Sequence, residues 1–356
     1  MKNRIIIFLS IFIVTIFGTT LVNASSLSND DYMNYIKRNE SMLELSNKVE
    51  QEMLKYNKEY PSYYGGMYIG DTATNLVLQI VKKNIPDTQS NDFSSYEKII
   101  KMSDAITIEY VDNSYTELKN VYEQINNYYK AVDYKVAKAE FNEYSAHYVD
   151  VKSNSVVVSV YDNNAKAKSV DSEMTKQSLA TKFKKEVLNT NIIKFENGQK
   201  LENEANQIKA GQGISVPGGT CSEGGKVDAA FVQTTSSYEP LNTLANPKYG
   251  ITKLNNTMCP FLRVGSAIAH DGVTSGYQSG TIKSLNYSGN FDGIAFTNLI
   301  TADYVSAGGD SGGPVFVPSS NGEGLVAGIH KGSVNSNTKV FVNADNIYAA
   351  FGYSRY

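Results

Sequence analysis

Gly308-Gly309-Asp310-Ser311-Gly312-Gly313-Pro314 is the stretch on which the reading of this chain turns. Four glycines and a proline surround one serine. Glycine reaches backbone angles closed to other residues and lets a second backbone come close. Such a loop can hold a hydroxyl on a tight turn with bare N–H groups aimed at one point, where they stabilise the negative oxygen of an acyl-transfer intermediate. Ser311 is the candidate nucleophile and the N–H groups of Gly309 and Ser311 are the candidate oxyanion donors. Asp310 is expected to brace the loop through a buried ion pair. A plain Gly-rich turn between two strands is the alternative. Downstream, Val315-Phe316-Val317, a turn over 318–324 and Leu325-Val326-Ala327-Gly328-Ile329-His330 read as strand, hairpin, strand.

The run resembles the nucleophile loop of the chymotrypsin-like serine proteases, where serine works with a histidine base and an orienting aspartate. The likeness is to the bacterial streptogrisin and α-lytic protease type and extends from about residue 208 to the end. Ala210-Gly211-Gln212-Gly213-Ile214 and Gly219-Thr220-Cys221-Ser222 resemble the opening strands of those enzymes. Val227-Asp228-Ala229-Ala230-Phe231-Val232 resembles the strand that carries the catalytic aspartate, so the resemblance implies that role for Asp228. Asp271-Gly272-Val273-Thr274-Ser275-Gly276-Tyr277 resembles the hairpin that opens the second barrel. The implied fold of residues 207–356 is an all-β, chymotrypsin-like double β-barrel.

One part of that pattern is missing. In the family the histidine base lies between the positions matched by Cys221 and Asp228. Here six residues, Ser222 to Val227, stand in that interval, and none is histidine. The cysteine that would pair with Cys221 is missing with it, and whether Cys221 pairs with Cys259 stays open. Three histidines occur elsewhere. His147 precedes Asp228 and Ser311 in the right order, but at far too long a spacing. His270 is expected as a solvated hairpin residue. His330 lies in Gly328-Ile329-His330-Lys331-Gly332-Ser333; glutamate-specific relatives carry a histidine in a similar setting. The resemblance therefore implies that His330 faces an acidic P1 side chain and that Gly332 and Ser333 belong to the substrate-binding strand. A partly buried histidine bonded to backbone is the alternative reading, and in neither is His330 the base. A serine hydroxyl without a base stays protonated at neutral pH, leaving the weak catalysis that oxyanion donors supply alone. Losing strands from the first barrel is expected to leave it incomplete, with open sheet edges.

The chain begins with Lys2 and Arg4, an apolar run from Ile5 to Phe17 and small residues ending Val22-Asn23-Ala24. That is the build of a secretory signal peptide over 1–24, too short for a durable membrane span, and it makes the mature protein a secreted one. Residues 25–162 read as an α+β pro-region. A helical pattern over 28–60, a hairpin at 67–80, a helix near 96–102, a strand at 106–111 and a helix over 115–132 come first. A second hairpin follows. Tyr148-Val149-Asp150 repeats the chemistry of Tyr68-Ile69-Gly70-Asp71 at a separation of eighty residues, which points to two similar hairpin and helix units. The segment around His147 to Val158 resembles the pro-region of the streptogrisin and α-lytic proteases, which helps the protease fold and then blocks it. All-β folds with long-range pairings form slowly, which is a physical reason for such a template. Residues 163–206 read as a linker and processing region with one helix.

Of the 356 residues 33 are Lys or Arg and 36 are Asp or Glu, a net charge of -3 with no basic patch, so nucleic acid is not an expected partner. Two cysteines exclude a disulfide framework, and no metal-ligand spacing or cofactor motif appears. The expected partners are a peptide or protein substrate and the chain's own pro-region. Function therefore has three readings: a secreted serine endopeptidase precursor impaired by the missing base, a catalytically dead protease-like binding protein, or a pro-region acting in trans as folding helper or inhibitor.

Overall fold

The computed structural model describes residues 28–55, 58–88, 90–131, 144–160, 172–198, 201–203, 220–224, 227–231, 241–255, 259, 261–291 and 294–352. Helix α1 (Asn29–Met53) starts at Ser28, whose hydroxyl accepts the Asp31 N–H at 3.2 Å. Asp30 and Asp31 place negative charge in its first turn, the favourable end of the helix dipole. It stops at Met53, short of the pattern read to residue 60.

Two units of one design follow. Strands β1 (Tyr64–Ile69) and β2 (Leu76–Val81) form an antiparallel hairpin; helix α2 (Asn91–Ile100) then leads to β3 (Ile106–Val111), which pairs parallel with β2. After α3 (Tyr115–Ala131) the order repeats. Strands β4 (Tyr144–Asp150) and β5 (Ser155–Val160) form a hairpin, and α4 (Ser172–Glu186) leads to β6 (Ile193–Asn197), parallel to β5. The middle strands β2 and β5 are buried along their whole length, and their β-branched content suits that place.

Strands β7 (Glu202–Asn203), β8 (Thr220–Gly224), β9 (Val227–Phe231), β10 (Thr243–Lys248) and β11 (Ile251–Asn255) come next. β8 and β9 make a two-stranded sheet, and β10 and β11 pair with each other. The C-terminal part is a closed barrel of β12 (Ala267–Gly272), β13 (Gly276–Phe291), β14 (Ile294–Ala302), β15 (Pro314–Pro318), β16 (Glu323–Asn335) and β17 (Thr338–Asn343), capped by α5 (Ala344–Phe351). Pairing runs β12–β13–β14–β17–β16–β15 and back to β12, which leaves none of its six strands unpaired on a side. Ile268, Ile282, Ile300, Val315, Val317 and Phe341 fill one side of its core. Gly328 is required where β16 meets β17, because a Cβ there would lie 2.0 Å from the Val342 carbonyl oxygen.

The N-terminal units are fused to this barrel. β4 pairs antiparallel with β13, Tyr148 against Tyr287 and Ala146 against Gly289. Helix α1 lies across it: Tyr32 and Ile36 share a core with Leu244, Ile251, Ala269 and Phe316. Asn39, 1% exposed, donates from Nδ2 to the Gly265 carbonyl at 3.1 Å and accepts the Ala267 N–H at 3.0 Å. An Asn39→Leu substitution strands both buried backbone groups at about 1–3 kcal/mol each. Urea denaturation is expected to show a loss of roughly 2–6 kcal/mol; a loss below about 1 kcal/mol would mean that water replaces the amide.

Candidate functional site

The loop from Ala307 to Pro314 is wired by its own backbone. The Asp310 N–H donates to the Ala307 carbonyl and the Gly313 N–H to the Asp310 carbonyl. The loop is then stitched to β16, with the Gly312 N–H on the His330 carbonyl at 2.9 Å and the His330 N–H on the Gly313 carbonyl at 3.0 Å. Gly309 and Gly312 sit at φ 102° and 90°, angles that side-chain-bearing residues avoid. Among the described residues, the N–H groups of Gly309 and Ser311 take no acceptor, while those of Asp310, Gly312 and Gly313 do.

Asp310 is 1% exposed, and its partners differ from the expected ion pair. Its Oδ1 accepts the N–H groups of Thr274 at 2.8 Å and Ser275 at 3.1 Å; its Oδ2 accepts the Ala307 N–H at 2.8 Å and the Ser275 hydroxyl. Burial alone would raise the carboxyl pKa, and these donors outweigh it and hold it below the ordinary carboxylate value. No lysine or arginine among the described residues pairs with it. Neutral donors from the β12–β13 turn do that work, because the turn delivers two adjacent N–H groups and a hydroxyl to one carboxylate.

The three histidines are all buried and all occupied elsewhere. His270, expected in solvent, is fully buried on β12. Its Nδ1 lies 3.2 Å from the Pro314 carbonyl oxygen. A carbonyl only accepts, so the bonding network assigns the proton to Nδ1. Nε2 then turns a lone pair toward Asp310 Oδ2, 4.0 Å away, and has no hydrogen-bond partner. Burial, with the neighbouring His330 ring, pushes the His270 pKa down to about 4. The ring fills the space behind the loop: a Cβ on Gly313 would come within 2.6 Å of it. His330 is 1% exposed, its Nδ1 is 2.7 Å from the Tyr304 hydroxyl, and its ring lies 4.8 Å from that of His270. His147 is 2% exposed on β4, bonded to the Tyr144 hydroxyl, with its pKa lowered by burial to about 3.

Ser311 therefore meets no imidazole. Its hydroxyl donates to the Lys331 carbonyl at 3.0 Å. The Lys331 ammonium lies 3.8 Å from the ring centre of Phe296 and 5.2 Å from that of Phe291. Beyond Lys331, β7 is added antiparallel to β16, Asn203 opposite Gly332 and Glu202 opposite Ser333. Leu201, 1% exposed, anchors that strand against Ala146, Tyr287 and Phe291. Asp228 has its backbone in β9, opposite Glu223 of β8; its side chain lies outside the described residues, as does that of Cys221. Cys259 is buried in the barrel core beside Ile268, Ile300 and Val315. On the far side of Ser311 a cleft of about 550 Å³ opens between the glycine-rich loop, the β12–β13 turn and β10.

His270, Tyr304, Lys331 and Leu201 were not singled out from the sequence as parts of this site. One signal was present for the first: Ile268 and His270 fall on one face of a strand by the period of two, and both are fully buried.

No family model matches the chain. Among solved structures, a glutamic acid-specific serine protease is similar at 26% identity over 39% of this chain and 72% of its own, with a TM-score of 0.34. Cellulomonas bogoriensis chymotrypsin and Thermobifida fusca protease A are each similar at 26% identity over 36% of this chain and 68% of theirs, with TM-scores of 0.31. No helix among the described residues is long and apolar enough to cross a membrane.

Proposed function

We propose that this chain is the precursor of a secreted serine endopeptidase in which Ser311 lacks a base, and that in this form it works as a protease-like peptide-binding site filled by its own N-terminal part. The observation that carries the reading is the β7 strand. An extended stretch of the chain is bound by strand addition to Gly332 and Ser333, next to a carbonyl that already holds the Ser311 hydroxyl. That is how a peptide would lie to present a bond to this serine.

The loop supports the same reading. Two free N–H groups, at Gly309 and Ser311, flank the hydroxyl, as an oxyanion site needs. The region before residue 207 acts as the pro-region, fused to the barrel by β4 and α1. Asp228 is assigned as the remaining acidic member of the site and Gly332 and Ser333 as its substrate-binding residues; His330, 1% exposed and bonded to the Tyr304 hydroxyl, backs that strand from inside rather than facing an acidic P1 side chain.

A cysteine pair tests the strand. The double variant Glu202→Cys, Ser333→Cys places thiols on directly opposed residues, within disulfide reach. Mild oxidation followed by peptide mapping is expected to give the 202–333 disulfide in most molecules. Absence of that bond, with a control pair at Tyr148→Cys and Tyr287→Cys forming normally, would remove the basis of the reading.

A further inference from the structure

We infer that the cleft on the far side of Ser311 binds the part of a peptide that follows the bond presented to the serine, and that it takes apolar side chains there. The inference rests on the peptide-site reading above and adds a substrate class to it. The barrel order places β15 between β16 and β12, so the groove along β16 and the cleft beside β12 lie on opposite sides of the loop that enters β15. Strand β7 runs from Ser333 toward Gly332, and hence toward the Lys331 carbonyl and Ser311. A peptide on that path passes the hydroxyl and leaves by the cleft.

The lining decides what it meets. Among the described residues four large apolar side chains are strongly exposed, and two of them, Leu241 at 75% and Val273 at 84%, line this cleft with Ser311. A third, Val305, lies on the segment leading into the loop. Leu244, Leu254 and Pro314 add further apolar surface. The two acidic groups of the lining are already spent: the Asp271 carboxylate accepts the N–H groups of Ala245 and Asn246 and the Asn246 side-chain amide, and Asp310 is held by Thr274, Ser275 and Ala307. An incoming peptide therefore finds exposed apolar side chains beside the neutral polar groups of Asn242 and Thr243, and no unsatisfied carboxylate. Exposed apolar surface gathered in one cleft marks a binding place more than an accident of packing.

Photocrosslinking of the full chain tests this, run in parallel on the Leu201→Asp variant, which removes the buried anchor of β7 and opens the groove along β16. One peptide carries photoleucine in a leucine-rich C-terminal half; a second carries the same photoleucine flanked by aspartates. The leucine peptide is expected to attach near Leu241, Leu244 or Val273, with roughly tenfold higher yield than the aspartate peptide, the ratio that burying one apolar side chain supplies. Leu241→Asp and Val273→Asp, both at exposed positions, are each expected to cut that yield by about the same factor. Equal attachment by the two peptides, or variants that label like the parent, overturns the apolar cleft. Adducts confined to 332–335 overturn it while leaving the groove along β16 standing. Adducts remote from the whole Ser311 region overturn both.

Discussion

Taking the protein from pH 7 to pH 4.5 is expected to remove about 5 kcal/mol of folding stability before most carboxylates titrate. His147 and His270 are buried as neutral rings, with pKa values lowered to about 3 and about 4. In the unfolded chain each titrates near 6.5. Between the folded and unfolded values the unfolded state binds the extra proton, so stability rises with pH in that window and falls as pH drops. Each ring contributes a slope of about 1.4 kcal/mol per pH unit. The stabilisation is complete above about pH 7 and is lost through pH 6 and 5. Urea denaturation at half-unit steps reads it directly. His147→Phe keeps a ring in the Tyr122, Tyr129 and Tyr144 cluster and is expected to halve the slope. A profile flat from pH 7 to pH 5 would show that water reaches both rings.

Asp310→Asn is expected to unmake the glycine-rich loop around Ser311 at a cost of about 2–4 kcal/mol. The carboxylate accepts four hydrogen bonds, three from backbone N–H groups. An amide keeps one oxygen. Turned toward Thr274 and Ser275, it directs its NH₂ at the Ala307 N–H; turned the other way, it opposes two N–H groups. Either choice buries a donor against a donor. Amide exchange at 307–313 is expected to speed up by at least about tenfold, while the β13–β14 ladder keeps its protection. Unchanged exchange in the loop would mean that the stitch to β16, not the carboxylate, holds it.

The barrel half was readable because its signals are local. Val315-Phe316-Val317 and the strand through Leu325 to His330 form the hairpin that the glycines between them announce, although that strand runs on to Asn335. In the N-terminal part, β3 matches residues 106–111. The hairpins at 64–81 and 144–160 carry short apolar, β-branched runs and turn chemistry. Contacts between distant parts of the chain were not readable. Nothing near Asn39 says that its amide bridges Gly265 and Ala267, more than two hundred residues away. The parallel partners β3 and β6 follow from crossover geometry and have no motif of their own.

The site divides in the same way. The tight glycine loop around Ser311 is legible, since Gly309 and Gly312 take angles that other residues avoid. The support of Asp310 is not, because a buried acid suggests a buried base, and here two N–H groups and a hydroxyl from one turn serve instead. His270 looked like a hairpin residue because its neighbours Asp271 and Gly272 are polar or small. Asp271 is itself 6% exposed and spends its carboxylate on the β10 backbone. The β7 strand is two residues long and polar in sequence. Its place is set by Leu201 and by the stretch of β16 past Ile329, where β15 has ended and Gly332 and Ser333 are open on that side.

The most direct test is the reaction of Ser311 with a fluorophosphonate at pH 7, read by mass spectrometry of the intact chain and of its peptides. With its hydroxyl held by the Lys331 carbonyl and no imidazole bonded to it, the serine is expected to label no faster than a surface serine. Displacing β7 with Leu201→Asp should not change that. Stoichiometric labelling at Ser311, abolished by replacing one of the three histidines, would contradict the account by showing that a base reaches the serine after all.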